Sequence, residues 1–340
     1  ERLGYSQAEI DNKLESTFEE MFYGPEGVRL CHCAGPDMMY IEDTGNHDVR
    51  TEGMSYAMMF CVQMNRQKEF DCLWRWVVTH MYLTEGENAG YFAWSCHTDG
   101  SKNSDGPAPD GEEFFAMSLF FAANRWGSGE GVLDYASWAR RILHACVHKG
   151  EEAGSGFPMW NPENHLIKFI PNCEFTDPSY HLPHFYELFA LWSDECDRPF
   201  WHAAAAASRQ YLRKACHART GLSAEYAEYD GRPHRGDQPD RHDWFFSDAY
   251  RTLGNIALDA QWFGDKDGWA QETAAHIQQF FEEKEHGQTN GIYLIDGTPV
   301  EGNALHPVGL LATIAQGSLI LDDACADEWL RRFFSTPLRS

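Results

Sequence analysis

Thr51-Glu52-Gly53-Met54-Ser55-Tyr56-Ala57-Met58-Met59-Phe60-Cys61-Val62-Gln63-Met64 is the stretch on which the reading of this chain turns. Residues 52–66 form a helical pattern that is apolar on nearly every side. Such a helix is buried on most of its faces, as inside a large helical protein. Working outward, helical patterns dominate. Ser6-Gln7-Ala8-Glu9 has the form of a capping box that opens a helix to about Phe22. A Trp- and Val-rich helix is expected over 68–83, and Asp110-Gly111-Glu112-Glu113 opens another that runs to Trp126. Further helices are expected near 132–149, 179–193, 198–217, 246–263, 266–285, 306–319 and 323–334. One strand-like run, Ile292 to Val300, lies among them. About eleven helices and one strand make an all-α chain.

Short and long connections alternate. The long ones are 23–51, 84–111, 150–178 and 218–245. Long loops with no structure of their own are usually functional. Each ends just before a helix whose first turn carries Glu52, Asp110, Tyr180 or Asp248. This pattern fits a ring of inner helices that start at one rim, where the loops build a groove.

The composition narrows the function. With 27 Lys and Arg against 52 Asp and Glu, the net charge is −25. Such a chain repels nucleic acid and anionic membranes, which leaves neutral or cationic partners. The 12 Trp, 14 Tyr and 22 Phe mostly serve the core, but many stand in loop-like stretches beside Gly, Asn and Asp. A sugar groove needs that mixture, because sugar rings stack their C–H faces on aromatics while their hydroxyls seek carboxylates and amides. The ten Cys lack the spacing of a secreted disulfide framework, and Cys61, Cys72 and Cys146 fall inside expected helices. Buried free thiols in a reducing compartment fit better. No run of about 18 apolar residues offers a membrane span. Glu1-Arg2-Leu3-Gly4 has no apolar signal region, so a cytoplasmic location is expected. No linker or low-complexity tract interrupts the chain, so residues 1–340 are read as one domain. At that size about three quarters of the unfolded surface can be buried without disulfides or metals.

Three carboxylates stand out in apolar or aromatic surroundings, where desolvation can hold one of a pair protonated. Glu52 opens the buried helix and is followed by Gly53. A helix-dipole role alone accounts poorly for that placement. Asp248 follows Trp244-Phe245-Phe246-Ser247, with Arg251 one helical turn on. An adjacent Arg favours the ionised carboxylate, which suits a general base; the plain alternative is a surface ion pair. Asp110 reads as an N-cap with Glu113 at N3, a complete structural explanation on its own. Two carboxyl groups of opposite protonation are what glycosidic bond hydrolysis by inversion needs.

Taken in order, these segments resemble glycoside hydrolase family 8. Arg50-Thr51-Glu52-Gly53-Met54-Ser55-Tyr56 is similar to the general-acid segment of that family, with Ala57 departing from a Gly. Ala108-Pro109-Asp110-Gly111-Glu112-Glu113-Phe114-Phe115-Ala116 resembles the segment whose aspartate grips sugar at the cleavage subsite. Asp177-Pro178-Ser179-Tyr180 resembles the segment whose Tyr holds the nucleophilic water, and Phe246-Ser247-Asp248-Ala249-Tyr250-Arg251 the general-base segment. The resemblance spans residues 5 to 335. It implies a single (α/α)6 barrel with Glu52 as general acid, Asp248 as general base, and Asp110, Tyr180 and Arg251 in support. Arg50, Trp94, Tyr250 and His306 are the candidate substrate-binding residues. Asn124-Arg125-Trp126-Gly127 and Leu305-His306-Pro307 resemble the members that release xylose from the reducing end of short β-1,4-xylo-oligosaccharides. In those members the Leu-His-Pro loop closes the acceptor side. Pro307 restricts His306 to an extended backbone, suited to holding the imidazole across the groove, and is also a favoured first residue of a helix.

No metal or cofactor is expected. Cys31-His32-Cys33 has the wrong spacing for a usual zinc half-site. His144 and His148 lie four apart but lack the Glu of HExxH. His181 and His184 flank Pro183 near Tyr180, and no GxGxxG or P-loop pattern occurs. The rival readings are an endo-acting xylanase, glucanase or chitosanase, a catalytically silent oligosaccharide-binding protein, and a helical toroid that docks a protein partner. The sequence leaves the oligomeric state open.

Overall fold

Ser6 starts the first helix as expected. Its Oγ accepts from the Glu9 amide at 3.3 Å while the Glu9 carboxylate accepts from the Ser6 amide at 2.8 Å, so two orphan amides are satisfied at once. This helix, α1, covers Gln7–Tyr23. The computed structural model describes residues 3–152, 154–236 and 241–337, in two compact units. Residues 237–240 of the 218–245 loop, and Glu1-Arg2 of the N-terminal reading, lie outside the described residues.

The first unit comprises Glu1–Pro162, Ile170–Asn172 and Phe189–Arg198. After α1, the 23–51 connection carries three short strands where a bare loop was expected. They are β1 (Cys31–Cys33), paired antiparallel with β2 (Met39–Ile41), and β3 (Asp48–Arg50). The decisive helix, α2 (Thr51–Gln63), buries Met54, Ala57, Met58, Cys61 and Val62, and exposes only Phe60 and Gln63. α3 (Gln67–Trp76) passes into a π-turn at Val77–Met81, one wide turn that ends the expected 68–83 helix early. β4 (Ser95–His97), inside the second long loop, pairs antiparallel with β3. α4 (Pro109–Trp126) and α5 (Tyr135–His148) complete the unit's helices. Trp74 on α3 is the hub of its core. Its ring lies 5.9 Å from Phe92 and Phe115 and 5.5 Å from Trp138, and its indole N–H donates to the Val132 carbonyl at 2.8 Å. A buried indole with its one donor satisfied adds both area and orientation.

The second unit comprises Glu163–Phe169, Cys173–Leu188 and Pro199–Ser340. It holds most of α6 (Pro183–Trp192), α7 (Arg198–Ala215), α8 (Arg251–Phe263), α9 (Trp269–Glu285), α10 (Pro307–Gln316) and α11 (Ala324–Ser335). The strand-like run Ile292–Val300 is a hairpin of β6 (Ile292–Leu294) and β7 (Pro299–Val300), turned at Gly297 with φ +89°. β5 (Trp244–Phe245) adds a third antiparallel strand from the long loop before α8. Phe245, Tyr250, Leu253, Ile277, Phe281, Leu310, Ile314 and Trp329 form its main core cluster. Eleven α-helices are present among the described residues.

Candidate active site

In the first unit, the acids gather where two helices begin. Gly111 decides that approach: a Cβ on it would lie 2.5 Å from Thr51 Cβ and 2.6 Å from Thr51 Oγ1. Only a glycine lets the first turn of α4 press this closely on the first turn of α2, so Glu52 and Asp110 are carried on abutting turns. The Thr51 amide donates to the Trp94 carbonyl at 2.9 Å, and Thr51 Oγ1 lies 3.4 Å from Glu52 Oε2. Glu52 is half-buried and Asp110 buried.

The N-cap reading of Asp110 is corrected. The cap position is Ala108, which makes no side-chain cap hydrogen bond, and Pro109 is the first helical residue. Proline has no N–H to satisfy and a φ already suited to that position, so it starts the helix earlier than Asp110 would. Asp110 sits inside the first turn, where its Oδ1 accepts from the Gly111 amide at 3.0 Å. Glu113, expected at N3, is buried.

Glu112 was not singled out in the sequence, yet it is fully buried beside this pair. It accepts from the Phe92 amide at 3.0 Å. Burial pushes its carboxyl well above the usual range against that hydrogen bond, and the charges of Asp110 and Glu52 push it the same way. Arg50 is the nearby cation. Its Nε lies 3.0 Å from Asp48 Oδ1 and 3.2 Å from Asp43 Oδ2, with its guanidinium 5.1 Å from the Trp94 ring centre. The β3–β4 pairing of Arg50 with Ser95 brings its guanidinium against the half-buried Trp94 ring.

In the second unit, Asp248 lies on a 3-10 turn, Ser247–Tyr250, that leads into α8. Ser247 has φ +45°, a conformation that costs a non-glycine residue about 1 kcal/mol and clusters at functional sites. Arg251 Nη2 is 3.3 Å from Asp248 Oδ1, and the Asp248 side chain is 39% exposed. The expected one-turn pairing is therefore present. The Arg251 guanidinium also lies 5.6 Å from the Tyr180 ring centre.

Tyr180 ends a second 3-10 turn, Pro178–Tyr180, ahead of α6. Asn255, one turn along α8 from Arg251, donates to the Ser179 carbonyl at 2.7 Å, and the Tyr186 hydroxyl donates to the Tyr180 carbonyl at 3.1 Å. Those bonds fix the Tyr180 turn relative to α8 and thus to the Asp248 turn.

Two further acids were missed here. Asp177 is fully buried and accepts from the Ser179 amide at 2.6 Å. Burial, then the Asp248 charge, raises its carboxyl well above the usual range, against the pull of Arg251. Glu225 accepts from the Trp244 indole at 3.0 Å and faces His242 Nδ1 at 3.1 Å; burial raises it too, with the Asp248 charge adding. Asp177 opens the Asp177-Pro178-Ser179-Tyr180 segment, so its signal lies in the sequence. Glu225 has none, because its partners are 17 and 19 residues away.

The remaining candidates divide by exposure. Tyr250 is buried, with its ring 5.1 Å from Phe245. His306 is exposed at the position before α10, with φ −131° and ψ 72°, and Pro307 is the first helical residue. Leu305 beside it is exposed.

Residues 10–321 match the family described as glycosyl hydrolases family 8. The chain is 54% identical over 339 residues to a reducing end xylose-releasing exo-oligoxylanase of Halalkalibacterium halodurans, which covers 99% of this chain and 86% of that protein. It is 53% identical to a protein of the same name from Bifidobacterium adolescentis, over 99% of this chain and 88% of that one. The solved structure of Rex8A from Paenibacillus barcinonensis, complexed with xylose, superposes with a TM-score of 0.96 at 54% identity, over 99% of this chain and 89% of the other. The fold class is accordingly all-α, (α/α)6. Among the described residues no helix is long and apolar enough to cross a membrane. The chain belongs to glycosyl hydrolase family 8 and is a glycoside hydrolase.

Proposed function

We propose that this enzyme releases xylose from the reducing end of short β-1,4-xylo-oligosaccharides, with inversion, using Glu52 as general acid and Asp248 as general base. The observation that carries the division of roles is the contrast in their surroundings. Asp248 pairs with Arg251 at 3.3 Å, and the acids beside it, Asp177 and Glu225, are buried with carboxyls raised toward the neutral form. Glu52 and buried Asp110 both act by charge on buried Glu112, while the nearby Arg50 is engaged by Asp48 and Asp43. A carboxyl paired with an arginine, and another set among buried acids, is the contrast of surroundings that an acid–base pair needs.

In this reading protonated Glu52 donates to the glycosidic oxygen as the bond to the anomeric carbon breaks. Water attacks that carbon from the opposite face, and Asp248 accepts its proton. Tyr180, fixed against α8, positions the water. Asp110 grips the distorted sugar at the cleavage subsite, Trp94 stacks a donor-side ring, and Arg50 and Tyr250 bind the substrate. His306 reads the free anomeric hydroxyl from the acceptor side. The similar proteins named for reducing-end xylose release support the substrate class. We take residues 1–340 to act as one catalytic domain, and the buried thiols of Cys61, Cys72 and Cys146 support a reducing, cytoplasmic setting.

The test reduces the terminal sugar of xylotetraose to its alditol. Activity should fall strongly against the unreduced sugar, with xylose the first small product of the latter. Equal rates, or xylobiose as the major first product, would sink the assignment in favour of an endo-acting enzyme.

A further inference from the structure

The C-terminal end of α5 carries a cluster that glycoside hydrolysis does not use. His144 and His148 stand one turn apart with ring centres 4.3 Å from each other. Both address Asp197, in the connection after α6. His144 Nδ1 lies 3.2 Å from Asp197 Oδ2, and His148 Nε2 lies 2.7 Å from Asp197 Oδ1. One ligand atom from each of the three falls within 4.8 Å of the others.

The cluster is built rather than incidental. The Asp197 side chain is 1% exposed. Its segment is pinned by the Asp197 amide donating to the Asp194 carbonyl at 2.9 Å, by Arg198 Nε donating to the Ser193 carbonyl at 3.2 Å, and by Arg140 Nε donating to the Trp192 carbonyl at 3.0 Å. On its far side, His148 Nδ1 lies 2.6 Å from Glu151 Oε1. A carboxylate behind a ligating imidazole is the usual outer support of a metal site, since it fixes the ring's orientation.

We propose that His144, His148 and Asp197 bind one divalent transition-metal ion of the zinc class. Two imidazoles and one carboxylate match the preferences of zinc, cobalt and nickel, and leave a fourth tetrahedral position for water. Ligand atoms about 2.0–2.2 Å from a tetrahedral ion stand roughly 3.4 Å apart. The three ligand atoms lie within 4.8 Å of one another, and His144, whose side chain is 53% exposed, can rotate to close on the ion. The bound ion would tie the last turn of α5 to the 193–198 segment. Its role is to stabilise that unit, since none of these residues belongs to the proposed catalytic groups.

The test uses the full chain, free of any affinity tag and stripped with chelator, titrated with Co²⁺ by calorimetry and visible absorption. One equivalent should bind and give ligand-field bands without a thiolate charge-transfer band, although Cys196 Sγ lies 3.2 Å from Asp197 Oδ1. His144→Ala should abolish binding and leave hydrolysis unchanged. Glu151→Gln should weaken binding by about 10–100-fold. Zn²⁺ should raise Tm in the wild type and not in His144→Ala. Absence of saturable uptake, equal uptake by His144→Ala, or a thiolate band would each overturn the proposal.

Discussion

Gly111→Ala tests how the first unit sets its acids. The new Cβ would stand 2.5 Å from Thr51 Cβ, about 1 Å inside an ordinary carbon–carbon contact of 3.5–4.0 Å. Thr51 is fully buried, so it cannot swing into solvent. Overpacking of this kind costs about 1–3 kcal/mol. Alanine returns about 1 kcal/mol of helix propensity relative to glycine. The net loss of stability is therefore about 0–2 kcal/mol, and the protein still folds. Activity should suffer more, because the contact is relieved by moving the first turns of α2 and α4 apart. A displacement of about 1 Å at reacting groups can cost about 100-fold in rate. The expected pattern is a modest fall in denaturation midpoint with a fall in kcat on xylotriose on the order of 100-fold. Wild-type kcat in a folded Gly111→Ala enzyme would refute the argument that this close approach positions Glu52 and Asp110.

Three other outcomes follow from the same structure. Glu52→Ala and Asp248→Asn should each lower hydrolysis of unactivated oligosaccharides by about 10²–10⁴-fold without unfolding the protein; near-wild-type turnover in either removes that residue from its role. Burial keeps His184 neutral, with its pKa pushed down to about 3 from 6.5. The unfolded chain binds a proton there that the folded one does not, so this site's stability is complete above about pH 6.5 and is lost as pH falls toward 3. His184→Phe should therefore gain about 1.4 kcal/mol on the wild type between about pH 7.5 and pH 5.5 in urea denaturation, and an unchanged difference across that range would count against a buried neutral imidazole. Finally, His306→Gly should widen the acceptor side, so that xylobiose appears among the early products of xylohexaose; a product pattern identical to wild type would take His306 out of the barrier.

Much of this was legible in the chain because it depends on neighbours in sequence. The Ser6–Glu9 box, the apolar run of α2 and the Asp248–Arg251 turn all act within four residues. What was not legible depends on distance along the chain. Glu112 is held by an amide 20 residues before it, and Glu225 by a loop returning 17 residues later. The pairing of His144 and His148 with Asp197 has no local signal, because Asp197 lies 53 and 49 residues on. The Asp110 cap was misplaced for a local reason, the preference of Pro109 for the first helical position over the cap reading of its neighbour. The Ile292–Val300 run folds back on itself because Gly297 supplies the positive φ of a tight turn, a signal present in the sequence but read as part of a strand. Likewise, the long connections carry short strands whose partners lie in other loops, such as β3 with β4. Three-residue strands are too brief to show a period.

The central claim, reducing-end release with inversion, is tested most directly by following xylotetraose labelled with ¹³C at the anomeric carbon of its reducing-end sugar, using time-resolved NMR. The account predicts that the label leaves as free xylose and that the complementary unlabelled xylotriose is born as its α-anomer before mutarotation. A crystal of the complex should then place the Glu52 and Asp248 carboxyls about 6.5–9.5 Å apart. Unlabelled xylose as the first product, labelled xylobiose, or xylotriose born as its β-anomer would contradict it.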